Sequence, residues 1–253
     1  MKSQNSKVGF IFILFKTPQT EIARLKQEVK DLKFKDYEIY FIDNTNNHQG
    51  YAAGVNQGIK NALKDNCELF VAANPDISFT HRSLGEGGLT AQNIFDGATY
   101  FDIWGLAMKQ QKKFYYGGEI DRWRMSGGLI DKKPKKRFVS VDFVSGSLMF
   151  IKKKVIDKIG FFDESYFMYY EEVDYCYRAK KAGFKVGIDS KLTYEHFEVS
   201  QDNPTKEFYL FKNRLKFLLK YGSLKQKVYE LIRLPKTVYE EIKKRPFYLI
   251  FLV

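Results

Sequence analysis

Cysteine is scarce. The 253 residues hold two, Cys67 and Cys176, far apart and without C-x-x-C spacing. That excludes a disulfide framework and a cysteine-built zinc site, and it suits a reducing compartment, so a cytoplasmic location is expected. Histidine is nearly as rare, at His48, His81 and His196. Six prolines and 18 glycines are too few for a collagenous or low-complexity chain. Long apolar runs are missing as well: Val8 to Phe15 and Phe247 to Val253 fall well short of the roughly 20 residues that a bilayer demands. The first run follows Lys2 and Lys7 as a leader would, yet it lacks a small-residue cleavage site and is β-branched and aromatic, so it reads as a core strand.

What is present suits a folded chain. With 44% hydrophobic and 28% charged residues, the length allows one large or two small domains with an ample core. The net charge of +12 would reward nucleic acid, an anionic membrane face or a phosphorylated ligand. No zinc finger, helix-turn-helix spacing or RNP-type run is found, and the aromatics sit mostly in apolar runs, so no nucleic-acid partner is expected.

The first third alternates strands and helices: strand Val8–Phe15, helix about Glu21–Leu32, strand Tyr37–Ile42, helix about Ala52–Leu63, strand Leu69–Ala73. Continuous apolar strands imply burial on both faces, hence a βαβαβ unit with a parallel sheet and ligands at the strands' carboxyl ends. Those ends carry Lys16-Thr17-Pro18, Asp43-Asn44-Thr45-Asn46-Asn47 and Asn74-Pro75-Asp76. The Gly85-Glu86-Gly87-Gly88 run lacks a following Lys-Ser/Thr and reads as an ordinary turn. Strand material follows at Phe101–Met108 and Phe138–Ile151, the latter broken by Ser145-Gly146-Ser147. A helix-like stretch Lys152–Ile159 ends at Gly160, and a further helix opens near Glu171 and stops at Gly183. The chain then turns helical over Thr205–Tyr221 and Leu224–Lys244, where Pro235 is expected to introduce a kink.

Four points could carry chemistry, each with a plainer reading beside it. Asp43 could accept a hydrogen bond from the N3–H of a uracil or thymine ring, or merely build an Asx turn. Asp76 beside Asn74 suits a hard divalent cation, although Asn-Pro-Asp is also a common turn. Glu171, Glu172 and Asp174 stand in the first turn of a helix, where acids complement the dipole. The positive helix end should keep such a carboxylate ionised with a low pKa, making it a weak base. His196, among Tyr194, Glu195 and Phe197, is either a ligand or a packed side chain.

Taken in order, these points resemble family 2 glycosyltransferases of the GT-A fold, and most of all their rhamnosyltransferase-like branch. The resemblance runs from Val8 to about Tyr221. Phe41-Ile42-Asp43-Asn44 and Gln49-Gly50-Tyr51-Ala52-Ala53-Gly54-Val55-Asn56-Gln57-Gly58 resemble the donor-nucleotide segment, and Phe70-Val71-Ala72-Ala73-Asn74-Pro75-Asp76-Ile77 the strand that ends in a DXD-type metal motif. Val141-Asp142-Phe143-Val144-Ser145-Gly146-Ser147 and Gly160-Phe161-Phe162-Asp163-Glu164, leading into Phe167 to Arg178, are similar to the acceptor side.

The resemblance implies an α/β GT-A domain over residues 1–204, with a Rossmann-like βαβ donor half (about 1–110) and a mixed-sheet acceptor half (about 111–204), followed by basic amphipathic helices over 205–253. It implies inverting transfer from a UDP- or dTDP-sugar, dTDP-rhamnose included, to a polysaccharide or lipid-linked glycan, as in cell-wall or polysaccharide biosynthesis. Glu172 would be the catalytic base, with Glu171 and Asp174 on the acceptor side. Thr17, Asp43, Asn44, Asn56, Asn74, Asp76 and Gly146 would bind the nucleotide-sugar, and Asp76 and His196 would hold Mn²⁺ or Mg²⁺. Two departures stand out. Glu172 occupies the place of a more usual Asp, one methylene longer, and Asn74 replaces an acid. They keep a second reading open, a sugar-nucleotide-binding protein without turnover. From Lys206 to Arg245 twelve Lys and Arg face four Glu, so these helices either lie on an anionic membrane at its inner face or pack on the catalytic domain.

Overall fold

The computed structural model describes residues 6–47, 49–79, 89–197 and 204–244, excepting the side chains of 204 and 240–244. His48, His81, the Gly85–Gly88 turn and the run from Phe247 lie outside the described residues.

Strand β1 (Val8–Leu14) is buried at every position. Its side chains alternate between two cores: Val8, Phe10, Phe12 and Leu14 enter one, Ile11 and Ile13 the other, the period of two that a pleated strand imposes. Helix α1 (Gln19–Asp31) covers the first core with Leu25 and Val29, and helix α2 (Tyr51–Lys64) covers the second with Val55 and Ile59. At Gly58 a Cβ would stand 2.1 Å from Ile11 Cγ2, so α2 can lie this close to β1 only through glycine.

Strand β1 runs parallel to β2 (Tyr37–Asp43) and β3 (Leu69–Ala73), which is the expected βαβαβ unit. Beyond β3 the sheet becomes mixed. Strand β10 (Leu148–Lys152) is antiparallel to both β3 and β5 (Ile103–Gln110), β5 is parallel to β11 (Val186–His196), and β4 (Ile77–Ser78) closes the edge against β11. The order is β2-β1-β3-β10-β5-β11-β4, with β6 (Lys113–Tyr115) on β5 and β9 (Phe138–Ser140) on β11. A separate hairpin pairs β7 (Gly118–Ile120) with β8 (Gly127–Leu129). Helices α3 (Ala91–Tyr100), α4 (Lys153–Ile159) and α5 (Glu171–Lys181) complete the α/β part.

One expectation needs correction. The stretch Phe138–Ile151 is not one interrupted strand, since β9 and β10 pair with different partners and residues 141–147 cross between them. The strand β11 was not foreseen. Helix α6 (Pro204–Tyr221) drives Phe217 and Leu218 into the core shared with α2 and α5. Helix α7 (Leu224–Lys244), which continues through Pro235, exposes Leu224, Leu231, Ile232 and Tyr239. No helix among the described residues is long and apolar enough to cross a membrane.

Candidate active site

The carboxyl ends of β1 and β3, the turn after β2, the start of α5 and the end of β11 border one open cleft of about 1320 Å³. Thr17, Asn44, Asn74, Asp76, Gly146, Glu171, Glu172 and His196 all line it. Asp43, Asn56 and Asp174 do not, and their contacts explain why.

Asp43 is exposed and accepts the Thr45 N–H at 2.8 Å, the Asx turn weighed above; Thr45 thereby holds its carboxyl below the usual range. Thr45 Oγ1 in turn accepts the Lys16 N–H at 2.9 Å, tying the first turn to the second. Asn44 is buried and spends its amide on the carbonyls of Gln49 and Gly50, so it shapes the entry to α2. Asn56 stands away from the cleft lining. It is 2% exposed, donates to Phe162 O and Glu164 Oε1 and accepts the Phe162 N–H, which makes it a tie between α2 and the loop after α4. Asp174 stands away from it too. Fully buried, it binds Arg178 Nε at 2.7 Å, Lys220 Nζ at 2.7 Å and the Tyr221 hydroxyl at 2.8 Å, joining α5 to α6.

The opposite wall is built from Asn74-Pro75-Asp76. The Asn74 N–H is held by Ser147 O at 3.0 Å. Asp76 is followed at once by β4, where Ile77 pairs with His196, and its carbonyl accepts the Phe197 N–H at 2.8 Å. This register sets His196 Nε2 3.4 Å from Asp76 Oδ1. Asp76 Oδ1 and both His196 nitrogens are shut off from solvent and have no hydrogen-bond partner. Orphaned polar atoms are costly unless a ligand completes them, and one oxygen with one imidazole nitrogen is a donor set that Mn²⁺ or Mg²⁺ accepts. Among the described residues no group of three or more His, Cys, Asp and Glu is placed to hold a metal ion. Burial opposes the charge on Asp76, but His196 and the Asn74 side chain outweigh it and keep the carboxyl below its ordinary value.

Sequence reasoning missed the support behind this wall. Arg24 of α1 donates to Ile77 O at 2.9 Å and Pro75 O at 3.2 Å, gripping the carbonyls on either side of Asp76. Glu28 holds Arg24 at 2.7 Å and also takes the Ser78 hydroxyl and the Phe79 N–H. In the sequence the Glu21, Arg24 and Glu28 spacing resembles an ordinary solvated helix pairing, so nothing marked it.

The third wall starts with Gly50, where a Cβ would fall 2.2 Å from Phe167 O. Glycine therefore lets α2 dock on the loop before α5, and Tyr51 donates its N–H to Phe167 O at 3.0 Å and its hydroxyl to Gly146 O. Glu171 and Glu172 follow on the first turn of α5, with Oε2 of each buried and unpartnered. A Cβ on Gly146 would sit 3.6 Å from Glu172 Cβ and 3.8 Å from Glu171 Oε1, ordinary contact distances that set residue 146 directly against the two glutamates. The expected low pKa is overturned here. Burial outweighs the N–H groups of the helix start and pushes Glu172 up to about 7, and burial plus the Glu172 charge raises Glu171 as well. Charges of Glu171, Glu172 and Asp76 all bear on the buried Tyr51 hydroxyl, raising it too, after burial itself.

A hexosyltransferase, the low-salt glycan biosynthesis protein Agl10 of Haloferax volcanii, is 32% identical over 158 residues, covering 59% of this chain and 49% of its own length. In three dimensions the crystal structure of GalNAc-T7 with UDP, GalNAc and Mn²⁺ matches with a TM-score of 0.52 and 12% identity, over 84% of this chain and 48% of that one. The chain is thus similar in sequence to a glycan-biosynthesis hexosyltransferase, and its fold is that of the GT-A glycosyltransferases. It spans about half the length of the curated relative it matches. No protein-family profile matches it. The GalNAc-T7 likeness, at that identity, speaks for the GT-A fold alone, and the order β2-β1-β3-β10-β5-β11-β4 is how this homologue builds it.

Proposed function

We propose that this chain is an inverting glycosyltransferase that moves a sugar from a nucleoside-diphosphate sugar to a hydroxyl of a glycan or glycolipid. The observation that carries the reading is one cleft lined by an unpartnered Asp76–His196 pair and by a glutamate poised near neutrality. Glu172 takes the acceptor proton, the acceptor oxygen bonds to the anomeric carbon from the face opposite the diphosphate, and the bond to the diphosphate oxygen breaks with its electron pair leaving on that oxygen. Mn²⁺ or Mg²⁺, held by Asp76 and His196, would offset the charge of the departing diphosphate. Asn74 contributes no charge, so the free cation binds weakly and the diphosphate completes its shell. Thr17 and Asn44, which line the cleft after β1 and β2, are assigned to the nucleoside end of a UDP- or dTDP-sugar. The GalNAc-T7 structure, with its UDP and Mn²⁺, supports this donor class.

The test is nucleoside-diphosphate release with a panel of UDP- and dTDP-sugars, dTDP-rhamnose among them. Release should require Mn²⁺ or Mg²⁺ and fall at least ~100-fold in Asp76→Ala, the scale of losing a principal electrostatic stabiliser. Mn²⁺ alone should raise the melting temperature little and Mn²⁺ with UDP much more. Equal release by parent and Asp76→Ala would refute the assignment, and donor binding without release would favour the non-catalytic alternative.

The apolar face of α7, with Leu224, Leu231, Ile232 and Tyr239 exposed beside Lys225 and Lys227, supports peripheral contact with an anionic bilayer that presents a lipid-linked acceptor. The protein should sediment with phosphatidylserine vesicles far more than with phosphatidylcholine vesicles, and the Leu231→Glu/Ile232→Glu variant should stay in the supernatant. Equal sedimentation of both forms would discard the idea.

A further inference from the structure

The chain enters α5 through a backbone that its residues do not favour. Tyr169 and Tyr170 have φ of 65° and 75°, two consecutive bulky L-residues in the left-handed region immediately before Glu171 and Glu172. Such a pair persists only where its surroundings dictate it, and such places cluster at functional sites. The surroundings here are specific. The Asn213 side-chain amide, on α6, donates one hydrogen to Met168 O at 2.8 Å and the other to Tyr169 O at 2.9 Å. Asn213 is 2% exposed, so neither bond has water as a ready substitute. The carbonyl before these, Phe167 O, accepts the Tyr51 N–H, and the Tyr170 hydroxyl accepts the Gly127 N–H at 3.1 Å while its ring lies beside Phe217 of α6.

Resting on the reading of Glu172 as the base, we infer that Asn213 is a positioning residue for catalysis: by tying down the carbonyls of residues 168 and 169 it fixes the left-handed entry to α5 and hence where Glu171 and Glu172 stand opposite Gly146. Asn213 does not line the cleft and touches no reacting group. The side chain must offer two N–H donors on one short planar group. Aspartate offers none, serine one, and glutamine adds a methylene to a buried, filled position. This makes α6, which the sequence pattern assigns to an appended extension, part of the catalytic apparatus.

The test is a double-mutant cycle between Asn213→Ala and Tyr169→Gly, read in turnover, donor binding and pH profile. In the parent background Asn213→Ala should lower kcat by about 10- to 100-fold, the cost of a displacement on the order of 1 Å at a reacting group. UDP affinity by calorimetry should stay within about twofold, and the midpoint of the pH–rate profile should move as the surroundings of Glu172 change. In the Tyr169→Gly background, where left-handed backbone is no longer unfavourable, the same substitution should cost less than about threefold. Asn213→Ser, which keeps one donor, should show a smaller loss of the same kind and serves if the alanine variant does not fold. Parent-like kcat and pH profile in Asn213→Ala or Asn213→Ser, with only the melting temperature lowered, would overturn the inference, as would an equal cost in both backgrounds. Glu172→Gln separates the two levels. If it is inactive while the Asn213 variants turn over normally, the inference alone fails; if it is fully active, the reading beneath it fails as well.

Discussion

Glu172→Gln is expected to lower kcat by about 10²- to 10⁴-fold, the usual worth of a positioned general base, with donor KM changed by less than about threefold. Gln keeps the shape of the side chain and removes only the capacity to accept a proton. The parent's rate should climb as pH rises through about 7, where Glu172 loses its proton, and level off above it. Below that point each pH unit should cost about tenfold, because the base is filled. The groups that face it are Glu171, Tyr51, Tyr170 and Cys176, all raised by burial first, and because Glu171 and Glu172 repel each other's charge the step belongs to the pair. Stability runs the other way. With a folded value above the ordinary glutamate value near 4.5, the native state holds a proton that the unfolded chain releases between about 4.5 and 7. That contribution is complete at low pH and lost as pH rises through the folded value, so Glu172→Gln should melt higher than the parent at pH 8. A pH-independent parent rate, or a Gln variant that turns over normally, would remove Glu172 from the mechanism.

The βαβαβ half was legible because its strands are uninterrupted apolar runs and its helices have clear polar turns at both ends, and the observed bounds differ by only a residue or two. The mixed-sheet half was less so. Strand β11 has a register shift between Asp189 and Thr193, and residues there, such as Asp189 paired with Arg137, are polar yet buried, so no simple alternation reaches the sequence. That strand is what delivers His196 to Asp76. The identity of the site residues could be proposed from residue type and order, but their state could not. The helix start predicts an ionised, weakly basic Glu172, and only burial, a property of the assembled walls, reverses that. Asn56 and Asp174 mislead for a related reason: a buried amide or carboxylate that ties two elements leaves the same trace in a sequence as one that awaits a ligand.

Asp174 gives that distinction a measurable consequence. Asp174→Asn removes the charge that Arg178, Lys220 and Tyr221 share, and breaking a fully buried pair costs ~3–5 kcal/mol. Here the partners keep other acceptors: Arg178 reaches Ile159 O and Phe161 O, and Lys220 reaches Asp163 at 2.7 Å, while both remain partly open to water. The expected loss is therefore ~2–3 kcal/mol, or roughly 4–10 °C in melting temperature for a chain of this size. Turnover per folded molecule, measured well below the transition, should stay within about twofold of the parent, since the carboxylate points away from the cleft into the α5–α6 contact. A variant that melts like the parent yet has lost turnover would move Asp174 back to the acceptor side and make the buried network incidental. The expected outcome, a less stable but competent enzyme, would mean that α5 carries two kinds of acid two residues apart, one pair held unsatisfied before the cleft and one spent on fastening α6 behind it.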